Sequence, residues 1–256
     1  MDITVNVRKL TNAPVREAVI DIQFDPAANL DDLDVYAEAL ASEFDRSSPL
    51  WRTEFGLQVG IEGTAPAPES QVARHGLRLQ SSQRPYVLQC RLNGFTLSRL
   101  YPYENWEELI ESALRYWDTF AKVVVPNEAG QGRITQIAVR YINELRLPLP
   151  IRDFSDYLRA PPEVPASLPQ ALQSFLQRVV IPLPETQAVA IVTQALDAPS
   201  APAESVTVIL DIDLKQRLTI DVSDQERLWD QLKALRADKN RIFFSYVTDK
   251  LLETLE

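Results

Sequence analysis

The segment "DIDLK" (211–215) places two carboxylates and an amine at alternate positions. In an extended strand Asp211, Asp213 and Lys215 project from one face, and alternate residues lie roughly 6.5–7 Å apart along the backbone. Two carboxylates at that spacing can reach one Mg²⁺, and a lysine beside them can pair with a phosphate. Mg²⁺-dependent phosphoryl transfer or phosphohydrolysis is the chemistry such a set would serve. Asp211 and Asp213 are therefore the candidate metal ligands, and Mg²⁺ is expected under that reading alone. Val206, Val208, Leu210, Ile212 and Leu214 fall on the opposite face, as in a half-buried strand. The favoured reading of the charged face is a solvated strand surface, with no cofactor.

A second candidate set lies on "RITQIAVRYINELRLPLP" (133–150). Ile137, Val139, Tyr141, Leu145 and Leu147 share one strand face; Gln136, Arg140, Glu144 and Arg146 share the other. Asn143 interrupts the apolar side. A buried amide left without partners costs about 1–3 kcal/mol, so it must be bonded to something. Pro148 follows closely, where the ladder must stop. The expectation is that Asn143 satisfies backbone groups. The alternative is that Tyr141 and Asn143 line a pocket between sheet and helices. Arg140 is placed to hold a strand carboxylate or an outside anion.

Charge supplies the third set. A net charge of −10 argues against nucleic-acid binding by the whole surface. Residues 1–69 hold 13 acids against 5 bases, whereas residues 70–103 hold no acid and carry Arg74, Arg78, Arg84, Arg91 and Arg99. Arg74 and Arg78 flank Gly76, with Tyr86, Phe95, Tyr101 and Tyr103 nearby. Arginines interleaved with aromatics are able to hold a nucleic-acid strand or an acidic partner. Pairing with the chain's own acidic N-terminal elements is favoured over both.

Several mechanisms lack parts. His75 is the lone histidine and Cys90 the lone cysteine, so an internal disulfide and a cysteine-based zinc site are excluded. Cys90 alternates with Leu88 and Leu92 as a small core residue would. The sequence contains no GxSxG, GxxxxGK or GxGxxG motif. It also lacks an apolar run long enough to cross a bilayer and a secretory signal at its start, which predicts a cytoplasmic protein with no membrane partner.

The elements that must position these residues alternate between two periods. "PVREAVIDIQF" (14–24) reads as a strand and 26–44 as a helix. The runs 53–63, 74–80, 85–92 and 95–101 read as an antiparallel meander. Asn105 with Glu108 is a capping box opening a helix that ends near Pro126. After the strand at 133–147, residues 151–158 and 167–176 are short helical candidates. Strands are expected at 177–184, 186–196 and 205–215. Ser223 with Glu226 gives a second capping box, and 241–255 a last helix. The class is α+β: an antiparallel sheet packed with long helices. The element order suggests a duplicated β-α-β-β-β-α arrangement, with lobes at 1–130 and 131–256 in one compact unit.

"PVREAVIDIQF", "VRYINELRLPLP" with "DYL" after it, "LDIDL" and "KNRIFFSYVTDKLLE" together resemble a sporadically distributed bacterial family of conserved hypothetical proteins. The resemblance covers essentially the full length and implies a cytoplasmic bacterial protein, with no activity or site residue to carry over. The Asp-x-Asp-x-Lys strand by itself resembles the acid-acid-lysine strand of triphosphate tunnel enzymes, which in that family lies near the N-terminus. The expectation is a non-catalytic binding or regulatory module recognising a protein partner. Its candidate residues are Arg74, Arg78, Arg140, Tyr141 and Asn143. The alternatives are phosphoryl chemistry on Asp211, Asp213 and Lys215, and nucleic-acid binding through 70–103.

Overall fold

The computed structural model describes residues 10–57, 68–126, 130, 132–170, 172–197 and 205–256. Its strands are β1 (Val15–Asp25), β2 (Arg46–Leu57), β3 (Pro68–Gln80), β4 (Tyr86–Arg91), β5 (Gly94–Leu100), β6 (Arg133–Pro148), β7 (Ser174–Leu183), β8 (Ala188–Asp197) and β9 (Ser205–Asp221). The helices are α1 (Leu30–Ala39), α2 (Trp106–Val123), α3 (Gln225–Tyr246) and the short α4 (Asp249–Leu252). All nine strands form one antiparallel sheet in the order β2-β3-β4-β5-β1-β6-β9-β8-β7. The fold is α+β. Residues 1–130 and 131–256 share the sheet, because β1 pairs with β6 from Asp25↔Arg133 to Val15↔Asn143.

Alternation places the core. Ala18, Ile20 and Ile22 of β1 are fully buried, as are Ile137 and Val139 of β6 and Leu210, Ile212 and Leu214 of β9. These residues face the helices. Burying each large aliphatic side chain contributes about 1.5–3 kcal/mol, so the register of the three central strands is strongly fixed. In α2 the spacing of Leu109, Ala113, Trp117 and Phe120 lays one stripe on the sheet. Phe120 packs on Phe24, Tyr36, Phe95 and Trp117 with ring centroids 5.1–5.9 Å apart. α1 and α2 cover the N-terminal strands, and α3 covers β6 and β9. No helix among the described residues is long and apolar enough to cross a membrane.

The caps explain where helices begin. Asn105 Oδ1 accepts from Glu108 N at 2.8 Å, as the capping box requires. The second cap lies one residue later than expected: Asp224, not Ser223, accepts from Arg227 N at 3.2 Å. Ser223 instead donates to Asp221 from both its backbone N and its hydroxyl. α3 then runs unbroken from Gln225 to Tyr246, taking in the start of the last helix expected at 241–255. It stops at Val247, whose backbone is extended and bridges to Leu158.

Three other expectations shift. The helix expected over 26–44 is confined to Leu30–Ala39. Residues 151–158 form only a 3₁₀ turn at Phe154–Asp156. Among the described residues of 167–176 no helix forms, and Ser174–Leu176 instead begins β7. Prolines at 161, 162, 165 and 169 remove donors from that connection, and Val179–Ile181 favour a strand. Part of the strand expected at 53–63 falls outside the described residues.

Gly76 sits where β3 approaches β4 too closely for a side chain, since an added Cβ would collide with the Cys90 carbonyl oxygen. Gly76→Ala should therefore lower the denaturant midpoint, at a cost of about 2–3 kcal/mol. An unchanged midpoint would mean that the strands separate freely at this point.

Candidate functional site

The side of the sheet away from the helices carries most of the residues chosen for chemistry. Glu17, Asp21, Arg91, Arg140, Asp213 and Lys215 line a recess of about 310 Å³ there. Alternation dictates this grouping, because each residue is out of phase with the buried positions of its strand. Within the recess Arg91 bonds to Asp21, which also accepts from Thr96 Oγ1 at 2.6 Å. Lys215 Nζ lies 2.9 Å from Asp213. Beside them Arg140 grips Asp211 with two parallel bonds, Nε at 2.9 Å and Nη2 at 2.6 Å. Such bidentate pairs are among the stronger charged contacts. The bond to Asp211 raises the Arg140 pKa further. The side chains of Asp211 and Asp213 are only 17% and 14% exposed, so these pairs are shielded more than ordinary surface pairs. Among the described residues no group of three or more His, Cys, Asp or Glu is arranged to hold a metal ion.

The arginines of 70–103 find acids from outside that window. Arg74 makes two bonds to Asp34 on α1, holding the Asp34 carboxyl below its ordinary range. Arg84 lies 3.7 Å from Glu43, and Arg99 lies 3.2 Å from Glu104 and 3.6 Å from Glu108. Arg78 donates to Gln80 at 2.9 Å along its own strand. Arg74 is thus turned to α1, Arg78 follows its strand, and Arg140 with Asp213 lies in the recess. They do not share one cleft.

A cavity of about 590 Å³ opens on the helix side instead, between α3, the start of α2 and β6. Tyr141 and Asn143 form part of its wall. The Tyr141 hydroxyl is hydrogen-bonded to that of Tyr103 at 2.8 Å, with the rings edge-on at 5.6 Å. Burial pushes the Tyr103 hydroxyl up to about 12 and Tyr141 well above its ordinary value. Asn143 is buried and its Nδ2 donates to Leu210 O at 2.9 Å, tying β6 to β9, while its side chain still borders the cavity. Trp106, Phe243 and Phe244 supply apolar surface. Arg236 lies over the Trp106 ring at 5.6 Å and 3.5 Å from Glu107.

Lys239 completes the wall. Its amine sits 3.9 Å above the centre of the Tyr141 ring, and no carboxylate pairs with it among the described residues. Burial, with a smaller contribution from the nearby Arg236 charge, lowers its pKa from 10.5 to about 7. Lys239 and Arg236 escaped the sequence reading, although a signal existed. Leu232, Leu235, Lys239 and Phe243 keep the three-to-four spacing of one helix face, so a lysine stands in an otherwise apolar stripe. Compared with known proteins, the chain matches no family model and no curated protein.

The lysine makes stability depend on pH. Between pH 7 and 10.5 the unfolded chain holds this proton and the folded chain does not, so folding becomes more favourable as pH rises through that window. Below pH 7 the full cost of charging the buried amine remains. Lys239→Met should therefore raise the melting temperature most below pH 7, with the gain shrinking toward pH 10. A gain that is flat with pH would contradict the lowered pKa.

Proposed function

We propose that the protein is a non-catalytic binding module that recognises a protein partner at the helix-side cavity. The observation that carries this reading is the joining of aromatic surface from Trp106, Phe243 and Phe244 to a polar wall of Tyr103, Tyr141 and Lys239. Its volume of about 590 Å³ falls within the roughly 300–1,000 Å³ usual for ligand sites. Aromatic residues and arginine are also the residues that most often anchor partners. Support comes as well from the opposite face, where Asp211, Asp213 and Lys215 are engaged in ion pairs within the fold. Cys90 is buried, and burial pushes its thiol far above the reactive range.

Phosphoryl chemistry is the second reading, favoured by the gathering of Arg91, Arg140 and Lys215 with Asp213 in one recess. It requires those cations to exchange carboxylates for phosphate. A cytoplasmic setting and a repeat of the two halves belong to the proposal too. The strand order favours the repeat, with β1 beside β5 and β6 beside β9, but the element order β-α-β-β-β-α fits neither half: four strands separate α1 from α2, and only a 3₁₀ turn follows β6.

A photo-crosslinking residue at position 103 tests the reading in the native cell, with position 51 on the far edge strand as control. The expected result is capture of one protein through position 103, lost when Asn240→Trp fills the cavity. Capture insensitive to Asn240→Trp would overturn it. So would turnover in a hydrolase screen that disappears with Asp213→Ala.

A further inference from the structure

We propose that the helix-side cavity binds a single carboxylate carried on an apolar body, with Lys239 receiving the carboxylate. The inference rests on the reading of that cavity as a binding site, and it names the chemistry of the group that enters.

Among the described residues, one cation of the cavity wall has no carboxylate bonded to it, although acids stand nearby. Glu107 is answered by Arg236 at 3.5 Å and Glu104 by Arg99 at 3.2 Å. Lys239 shares the cavity wall with Tyr141 from β6, Tyr103 and Glu104 from the segment leading into α2, Glu107 from the first turn of α2, and Arg236 from its own helix. Its amine rests on the Tyr141 ring with no carboxylate paired to it among the described residues. Stacking on a ring partly compensates a cation that has lost water, but leaves its N–H donors largely unused. One amine without a paired carboxylate matches a monoanion better than a phosphate dianion, whose second charge would meet the Glu104 and Glu107 carboxylates in the same wall.

The tyrosine pair supplies a further donor. When one hydroxyl donates to the other across 2.8 Å, the accepting oxygen keeps its own proton free to bond a ligand. A carboxylate oxygen is the acceptor that suits both an ammonium and a phenol. Trp106, Phe243 and Phe244 border the same space, so the remainder of the ligand is apolar, and aromatic or branched aliphatic groups suit it best. Two sources share this chemistry: a free small acid, and the C-terminal carboxylate of a partner chain ending in an apolar residue.

Protonation follows from the geometry. Burial lowers the Lys239 amine to about 7, and a bound carboxylate stabilises its charged form. Binding above neutrality must therefore draw a proton from solution, whereas binding at pH 6 draws little.

Calorimetry on the full chain tests this with 3-phenylpropionate, its neutral amide, inorganic phosphate, and an acetylated dipeptide ending in Phe with a free or amidated terminus. The expected result is saturable binding of the acids and at least tenfold weaker binding of the amides. Lys239→Met should lose at least tenfold, with partial retention in Lys239→Arg. Titrations in buffers of different ionisation enthalpy should show uptake of close to one proton at pH 8.5. The tighter of the two acids identifies the source, and either supports the inference. Equal affinity for acid and amide, preference for phosphate, or unchanged binding by a folded Lys239→Met would overturn it. If the acids fail while capture through position 103 remains sensitive to Asn240→Trp, this inference alone falls. If the acids bind while capture ignores Asn240→Trp, the protein-partner reading alone falls.

Discussion

A sheet covered by helices on one side only must divide its residues at every step, because alternate side chains point to opposite faces. Here the division governs β1, β6 and β9, three adjacent strands in the interior of the sheet. Ile20, Val139 and Leu214 lie beneath the helices with no exposure, while Asp21, Arg140 and Asp213 occupy neighbouring positions on the other side. A slip of one residue in any of these strands would bring charge under the helices and aliphatic groups out of them. Most of the molecule's apparent chemistry is a consequence of that arrangement.

Because the uncovered face is recessed, its charges cannot remain simply solvated. They answer one another across strands: Arg91 with Asp21, Arg140 with Asp211, and Lys215 with Asp213 along one strand. Removing one member of such a half-buried pair leaves an uncompensated charge, which costs more than the pair itself contributes. The same logic joins Arg74 to Asp34 and fastens α1 to the sheet. The helix-side cavity follows a different rule. Lys239 enters it from an apolar stripe, desolvated and without a carboxylate among the described residues, so the fold spends stability there. Spending of this kind is common where a ligand binds.

The central strands were legible in the sequence because their alternation is local. Ile137 to Leu147 alternate along β6, and Val206 to Leu214 along β9, without reference to any other part of the chain. The Asn105 cap was legible for the same reason, since its partner Glu108 is three residues away. The partners of the arginines were not. Arg74 finds its acid 40 residues upstream, and Arg140 finds its acid 71 residues downstream, distances set by the strand order. Asn143 had two readings from sequence, and the structure gives it both neighbours: the Leu210 carbonyl and the cavity. Lys239 was lost because α3 was divided at the polar run "RADKN", which interrupts the helical pattern without ending the helix.

The cavity's claim as a binding site depends on the Lys239 amine, which is withdrawn from solvent and has no carboxylate paired to it among the described residues. Direct titration of its side chain by NMR, through the Cε and Nζ resonances assigned with Lys239→Arg, measures this most simply. The expected midpoint is near pH 7 in the free protein. A midpoint at the ordinary lysine value of 10.5 would show that the amine is solvated or already paired, and the cavity would lose its claim to be the site.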